Sequence, residues 1–202
     1  MNPKKRFLLV SIVPQSASNE QVFQEIQELK YLVDSYHGKV CEILLQHREV
    51  YDKGQYIGAG KITEAAEIVK EQKIDVVVLN AAVLPGHLHD IKSLLHPANP
   101  LIEVWDRVDL ILEIFSLHAK TAESRLQIEL AGMRHMGPRI YGMGMVLSRQ
   151  AGGIGGRGIG ETNTERMKRH WRDQMKKTEL KLKKLSEDRE KQLQRREKNG
   201  VH

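Results

Sequence analysis

The first half of the chain alternates short apolar runs with amphipathic segments. Phe7 to Val13 is an apolar run that ends at Pro14, and Ser18 with Gln21 then forms a capping box at the start of a helical pattern. The alternation continues with predicted strands at 39–45, 74–79 and 101–105 and predicted helices at 61–70 and 88–95. Continuous apolar strands separated by helices are typical of a parallel sheet that is covered on both faces. The pattern therefore predicts a small α/β domain over residues 1–105, with four parallel strands and flanking helices.

After Asp106 one long apolar stripe replaces the short elements. Apolar residues recur from Val108 to Met133 at spacings of three and four, which predicts a single helix of about seven turns. The acidic residues near its start favour the positive end of the helix dipole. We expect the helix to end near Gly137-Pro138, because proline has no amide proton and disfavours a helical residue before it.

A second long helix is predicted near the end of the chain. Thr162 or Asn163 is expected to cap it, and apolar or small residues then recur from Trp171 to Leu185 at spacings of 4, 3, 4 and 3, as in a coiled-coil seam. Residues 106–202 are thus predicted to form a long antiparallel two-helix domain, coiled-coil-like, with a glycine-rich tip loop at about 137–161. A dimerisation seam is the alternative, but the seam is short, and a monomer is expected.

Charge separates the two halves of the chain. The 202 residues carry 32 Lys+Arg and 26 Asp+Glu, a net charge of +6. Residues 1–105 hold 11 basic and 13 acidic residues (11 − 13 = −2), whereas residues 106–202 hold 21 and 13 (21 − 13 = +8). A basic segment without a strongly apolar helix face favours nucleic acid over membrane as the partner.

Composition excludes several other classes of protein. Cys41 is the single cysteine, so neither an intrachain disulfide nor a cysteine-based zinc site is possible, and we expect a buried, inert thiol in a reducing, cytoplasmic compartment. No apolar run approaches the roughly 20 residues that a membrane span needs. His87 and His89 beside Asp90 lack a third ligand cluster at readable spacing, so no metal site is predicted. No catalytic set of nucleophile and base is recognisable from spacing.

Two glycine motifs invite comparison with phosphate-binding loops. Gly58-Ala59-Gly60-Lys61 looks like the end of a P-loop, but Gln55 stands where the first glycine belongs and Ile62 replaces the magnesium-binding hydroxyl. A nucleotide site at Gly58, Gly60 and Lys61, in an α/β enzyme domain that binds ligand at the carboxyl ends of its strands, stays open as an alternative. Residues 153–158 read G-x-G-x-x-G but follow no core strand, which argues against a dinucleotide site.

The second glycine-rich segment suggests a different partner. Residues 137–160 contain nine of the sixteen glycines. Bare backbone flanked by arginines can approach a sugar-phosphate surface closely. The predicted RNA-binding residues in and beside this segment are Arg149, Gln150, Gly152, Gly153, Gly155, Arg157, Gly158 and Gly160. Weaker candidates on the second helix are Lys168, Arg169, Arg172, Lys176 and Lys177, for which a merely solvated face is the alternative.

Several of these motifs together resemble a known family. The motifs are Tyr56 to Lys61, Asp106-Arg107, Leu126 to Ala131, Pro138-Arg139, and Leu147 to Gln150 with the glycines that follow. On these residues the sequence resembles the N-terminal part of the HflX family of ribosome-binding GTPases, over essentially its whole length. It departs from the family pattern at Ala59, His118, Ser124, Ala151, Gly156 and Ile159.

The resemblance implies a function as well as a fold. It implies that the glycine-rich loop enters the peptidyl-transferase region of the large ribosomal subunit and contacts its RNA, in a protein that separates or rescues stalled ribosomes. It also implies that a GTP-binding domain follows the second helix, about where this sequence ends at His202. GTP and Mg²⁺ are expected to bind that domain. Because these residues contain no P-loop, no cofactor and no GTP hydrolysis are expected of them alone.

Overall fold

Residues 4–49, 56–150 and 159–198 are described by the computed structural model; within 138–164 and at 197–198 it gives the course of the backbone only. The strands and helices up to residue 106 are β1 (Arg6–Val13), α1 (Asn19–Ser35), β2 (Lys39–His47), α2 (Ala59–Glu71), β3 (Val76–Leu79), α3 (Pro85–Leu95) and β4 (Glu103–Asp106). They are followed by α4 (Arg107–His118), α5 (Ala122–Gln150) and α6 (Ile159–Lys198). The chain divides into two compact units, residues 1–117 and 118–202.

The first unit is built on a four-stranded parallel sheet in the order β2-β1-β3-β4. Leu9 of β1 lies beside Ile43 of β2 and Val78 of β3, and Val78 in turn lies beside Trp105 of β4. The predicted α/β class and the predicted four parallel strands are confirmed.

Both faces of the sheet are covered, as continuous apolar strands require. Successive residues of a strand point to opposite faces, so Leu8 packs in a cluster with residues of α2 and α3, while Leu9 packs in a second cluster with Leu29 of α1. The capping box that begins α1 is also confirmed: the Gln21 amide donates to Ser18 Oγ at 3.2 Å, and the Ser18 amide donates to Gln21 Oε1 at 3.1 Å.

Helix α4 belongs to the first unit, which moves the boundary beyond the predicted division after residue 105. Leu110 of α4 is completely buried and packs with Phe7 and Leu9 against the sheet. The helix begins directly at the end of β4, where the Asp109 amide donates to Asp106 Oδ1 at 2.9 Å and the Asp106 amide donates to Asp109 Oδ2 at 3.0 Å. The Asp106 carboxylate therefore caps an amide of the first turn of α4, and the Asp109 carboxylate accepts from the amide of the residue before the helix.

The prediction of one continuous helix from 106 to about 137 is wrong. The helical stripe is interrupted after His118, and α5 starts at Ala122. Thr121 Oγ1 accepts the Ser124 amide at 3.0 Å, and Arg125 Nε donates to the Ala119 carbonyl at 3.2 Å. Through these bonds the Ser124 amide and the Ala119 carbonyl find side-chain partners in place of the backbone partners of a continuing helix. The apolar periodicity continues unchanged across residues 119–121, so it does not reveal the break. The break depends on local side-chain hydrogen bonds, which offer the backbone an alternative to the helix.

The predicted tip loop at about 137–161 is wrong at both ends. Helix α5 continues through Gly137-Pro138 to Gln150, and α6 begins at Ile159 rather than after a cap at Thr162 or Asn163. A proline inside a helix removes one hydrogen bond and bends the helix without having to end it. One turn earlier, Trp171 Nε1 of α6 donates to the carbonyl oxygen of Met133 at 3.0 Å. Helix α6 thus packs against α5 in the turn that precedes the proline.

Cys41 differs from its predicted environment. Its side chain is partly exposed on the edge strand β2 rather than buried. The sheet order places β2 at an edge, where one side of the strand has no neighbour among the described strands.

Candidate nucleic-acid interface

The basic charge of the second unit is concentrated on one part of α6. Residues 166–184 contain nine Lys+Arg and two Asp+Glu (9 − 2 = +7), whereas residues 185–198 contain five and four (5 − 4 = +1). The charge is therefore placed along the helix next to the glycine-rich segment rather than along its whole length.

Contacts with α5 fix which side of α6 faces inward. Thr178 is buried and donates its hydroxyl to Glu129 Oε1 at 3.2 Å, and Trp171 donates to Met133 as described above. Farther along, Arg189 Nη1 lies 3.1 Å from Glu123 Oε2. As the position on α5 advances from Glu123 to Met133, the partner on α6 moves back from Arg189 to Trp171.

Four of the five predicted RNA-binding residues of α6 occupy exposed positions of the helix. Arg169, Arg172, Lys176 and Lys177 are exposed, and Lys168 is half-buried. Lys168 Nζ lies 3.0 Å from Glu165 Oε1, and this hydrogen bond, with the lysine charge, holds the pKa of Glu165 below its usual 4.5. Arg172 Nε donates to the Lys168 carbonyl at 3.3 Å, which orients its guanidinium along the helix. Exposed cations at these positions can bind phosphate oxygens without disturbing the packing of α6 on α5.

The remaining predicted RNA-binding residues are only partly covered by the structure. Arg149 and Gln150 are the last two residues of α5, and Gly160 lies in the first turn of α6. The other five residues of that prediction, Gly152, Gly153, Gly155, Arg157 and Gly158, lie outside the described residues. Their role in RNA contact stays a prediction.

All three residues of the alternative site, Gly58, Gly60 and Lys61, are among the described residues. Gly58 is the N-cap of α2, and its amide donates to Gln46 Oε1 at 3.0 Å. A Cβ at Gly58 would meet Gln46 Nε2 at 2.9 Å, so the glycine allows the loop to approach β2 closely. Lys61 Nζ lies 2.7 Å from Glu64 Oε2, where its charge is directed to a neighbouring carboxylate.

The two residues before Gly58 hold this motif against the sheet. Tyr56 and Ile57 are buried in the same cluster as Leu8 and Val10. They anchor the start of α2 on the sheet, so the motif has a packing role that its sequence did not indicate. Nucleotide binding by this segment stays a prediction, to be tested by titration with ATP and GTP.

Sequence reasoning missed a polar cluster at the carboxyl edge of the sheet. Arg107, the first residue of α4, donates from Nη1 to Asn80 Oδ1 at 2.9 Å and also pairs with Glu28 of α1. Asn80 Nδ2 donates to the buried Ser11 hydroxyl at 3.3 Å. The one signal in the sequence was that Asn80 interrupts an apolar run. The cluster joins β1, β3, α1 and α4, so its evident effect is to hold these elements together.

Comparison with known proteins identifies the family. The chain matches the family models for the GTP-binding GTPase N-terminal region at residues 24–116 and the GTP-binding GTPase middle region at residues 118–196. It is 37% identical over 198 residues to GTPase HflX of Caldanaerobacter subterraneus subsp. tengcongensis, covering 98% of this chain and 44% of that protein. This chain belongs to the HflX family. GTPase HflX of Alkalihalophilus pseudofirmus is 38% identical over 183 residues, covering 91% of this chain and 42% of the relative.

This chain therefore corresponds to the N-terminal part of these relatives and spans less than half of their length. A crystal structure of a GTP-binding protein from the archaeon Sulfolobus solfataricus, in complex with GDP, matches with a TM-score of 0.61 at 22% identity, over 90% of this chain and 46% of that one. At this identity the match supports the fold. Among the described residues, no helix combines the length and apolarity that crossing a membrane requires.

Proposed function

We propose that this chain is the ribosome-binding part of an HflX GTPase and that it contacts RNA of the large ribosomal subunit. In this proposal α5 and α6 form an antiparallel, coiled-coil-like hairpin, and the segment between them, with Arg149, Gln150 and Arg157, reaches the RNA first. GTP hydrolysis, with GTP and Mg²⁺, requires residues that these 202 do not include, since they contain no P-loop. The protein acts as a monomer in the cytoplasm.

One observation carries the proposal. The second unit presents a helix with a net charge of +7 over residues 166–184, and eight of the nine cations in this range are exposed. The ladder from Arg189–Glu123 to Trp171–Met133 supports the antiparallel arrangement, because its partners run in opposite directions on the two helices. Neutralising phosphates with such cations releases counterions and makes binding depend steeply on salt.

Co-sedimentation with purified large ribosomal subunits tests the proposal. The chain is expected to pellet with the subunits at low salt, and its association constant is expected to fall with a log–log salt slope of about −0.7 to −0.9 for each phosphate neutralised. A variant with Arg169→Gln, Arg172→Gln, Lys176→Gln and Lys177→Gln should lose most of this binding.

A control with the same change of charge separates a local site from net charge. Lys4, Lys39, Lys70 and Lys92 are exposed in the first unit, and their joint replacement by Gln should leave binding almost unchanged. Equal loss in the two variants, or binding that salt does not weaken, would contradict the proposal. A further variant, Arg149→Ala with Arg157→Ala, tests the segment between the helices in the same assay.

A further inference from the structure

Eight of the nine cations in residues 166–184 of α6 form two rows rather than one continuous surface. At about 100° per residue, Arg169, Arg172, Lys176 and Lys183 lie between about 100° and 160° from Trp171, which faces α5. A second row lies between about 220° and 280° by the same geometry. It consists of Arg166, Lys177, Lys181 and Lys184, and all eight side chains are exposed.

The strip between the rows differs from them in chemistry. Leu180, which is 59% exposed, and Asp173 lie at about 180° and 200° on the same scale, directly opposite α5. The carboxylate of Asp173 repels a line of phosphates that follows the middle of the helix, and Leu180 offers such a line no hydrogen bond. Phosphates are therefore favoured on either side of the outward midline and disfavoured along it.

The length and width of this arrangement suit two strands. Residues 166–184 span about 27 Å of helix, and a helix with its side chains is about 10–12 Å wide. Double-stranded RNA has a wide, shallow minor groove with a line of phosphates along each side. A single strand has one line of phosphates and could engage one row at a time.

We propose that α6 binds double-stranded RNA, lying along the minor groove with each cationic row directed to one of the two strands. This inference rests on the proposed function and specifies the form of RNA that the site recognises. Arg169, Arg172 and Lys176 contact one strand, Arg166, Lys177 and Lys184 contact the other, and Leu180 lies over the groove. Since these contacts go to backbone oxygens, they distinguish duplex from single strand but do not read the base sequence.

Fluorescence anisotropy of the 202-residue chain with labelled RNA tests the inference. The probes are an RNA duplex of about two helical turns and one of its two strands alone. The sequence of this strand is chosen so that it does not pair with itself. We expect at least tenfold tighter binding of the duplex. The triple variants Arg169→Gln/Arg172→Gln/Lys176→Gln and Arg166→Gln/Lys177→Gln/Lys184→Gln should each lower the salt slope for the duplex by about 2 to 3.

A third variant on the same helix is the matched control. Lys191→Gln/Arg195→Gln/Arg196→Gln removes the same charge from exposed positions beyond the dense segment, and it should change the slope by less than about 1. Circular dichroism verifies that all three variants keep their helix content.

Several outcomes would overturn the inference. These are equal or tighter binding of the single strand, loss of binding from one row only, equal effects of the control variant, absence of duplex binding, or competition by polyglutamate as effective as competition by unlabelled duplex. The ribosome assay distinguishes failure of the two-strand geometry from failure of the proposed function. If the chain still pellets with large subunits through Arg169 to Lys177 while the duplex is not preferred, the proposed function stands and the two-strand geometry is wrong.

Discussion

Thr121 and Ser124 exchange hydrogen bonds at the start of α5. The Ser124 amide donates to Thr121 Oγ1 at 3.0 Å, and the Thr121 amide donates to Ser124 Oγ at 3.2 Å. The hydroxyl of Ser124 thus completes a reciprocal cap. This pair separates α5 from α4 and so marks the beginning of the second compact unit.

Removing this cap should destabilise the second unit. We expect Thr121→Ala to lower its free energy of unfolding by about 1 kcal/mol, because the Ser124 amide loses its acceptor. Urea unfolding is followed by Trp171 fluorescence in a Trp105→Phe background, which leaves one tryptophan. Thr63→Ala is the control: Thr63 is an exposed residue of α2 whose hydroxyl donates to the Ala59 carbonyl at 3.2 Å. A change at Thr121 no larger than at Thr63 would show that the cap contributes nothing.

The assignment of α4 to the first unit predicts a large effect at Leu110. This side chain is fully buried, so Leu110→Ala should cost about 2–5 kcal/mol of unfolding free energy through lost burial and the cavity left behind. Leu117 lies on the same helix and is 55% exposed, and its replacement by Ala should cost less than about 0.5 kcal/mol. Trp105 fluorescence in a Trp171→Phe background reports the transition. Similar effects of the two substitutions would return the boundary to residue 105.

Two glycines of the first unit should respond to alanine in opposite directions. A Cβ at Gly38 would lie 2.4 Å from Phe7 Cε2 and 2.8 Å from Val33 Cγ1, both in the core, so Gly38→Ala should destabilise the unit by about 1–3 kcal/mol. At Gly60, in the first turn of α2, a Cβ meets nothing within 4 Å. Gly60→Ala should therefore stabilise by about 0.4–1 kcal/mol. The same fluorescence transition measures both, and the Gly38 prediction fails if both variants are neutral.

Lys5 gives the first unit a dependence on alkaline pH. Its ammonium lies 2.7 Å from Glu103 Oε1 and 5.0 Å from the centre of the Trp105 ring. Partial burial lowers the pKa of Lys5, but the hydrogen bond and charge of Glu103 outweigh it, and the pKa rises above 10.5. A raised pKa in the folded state stabilises the fold below the unfolded pKa, and this contribution is lost as the pH rises through the folded value.

Unfolding at pH about 9 and about 11.5 measures this dependence. Stability should fall more steeply over this range in the native chain than in Lys5→Met, and Lys4→Met, at an exposed neighbour, should behave like the native chain. The difference is expected to be small, since the Lys5 side chain is 37% exposed and solvent screens the pair. Identical pH profiles for Lys5→Met and the native chain would contradict the assignment.

The α/β domain could be predicted because its signals are local. Ser18 and Gln21 lie three residues apart and bond to each other, and each apolar strand is bounded by polar residues within the same short stretch. The order of the strands in the sheet, in contrast, depends on contacts between distant residues. Phe7 lies beside both Val40 and Val76, and no local pattern records which strands flank β1.

The candidate interface also combines features that the sequence shows with one that depends on tertiary contacts. The basic residues 166–184 are visible in the sequence, and their spacing on a helix follows from its regular geometry. Which side of that helix is free depends on contacts with distant residues, such as Thr178 with Glu129 and Trp171 with Met133.

The sequence alone determined the helices and strands of the first domain, the location of the positive charge and the family resemblance, because periodicity, capping and motif spacing act between residues a few positions apart. Only the tertiary structure decided that α4 completes the first unit, that α5 continues through Pro138, and that Cys41 lies on an edge strand. Each of these depends on free energy gained from partners far away in the chain, such as Leu110 against Phe7. Core packing and buried hydrogen bonds commonly contribute a few kcal/mol, which is enough to outweigh a local preference.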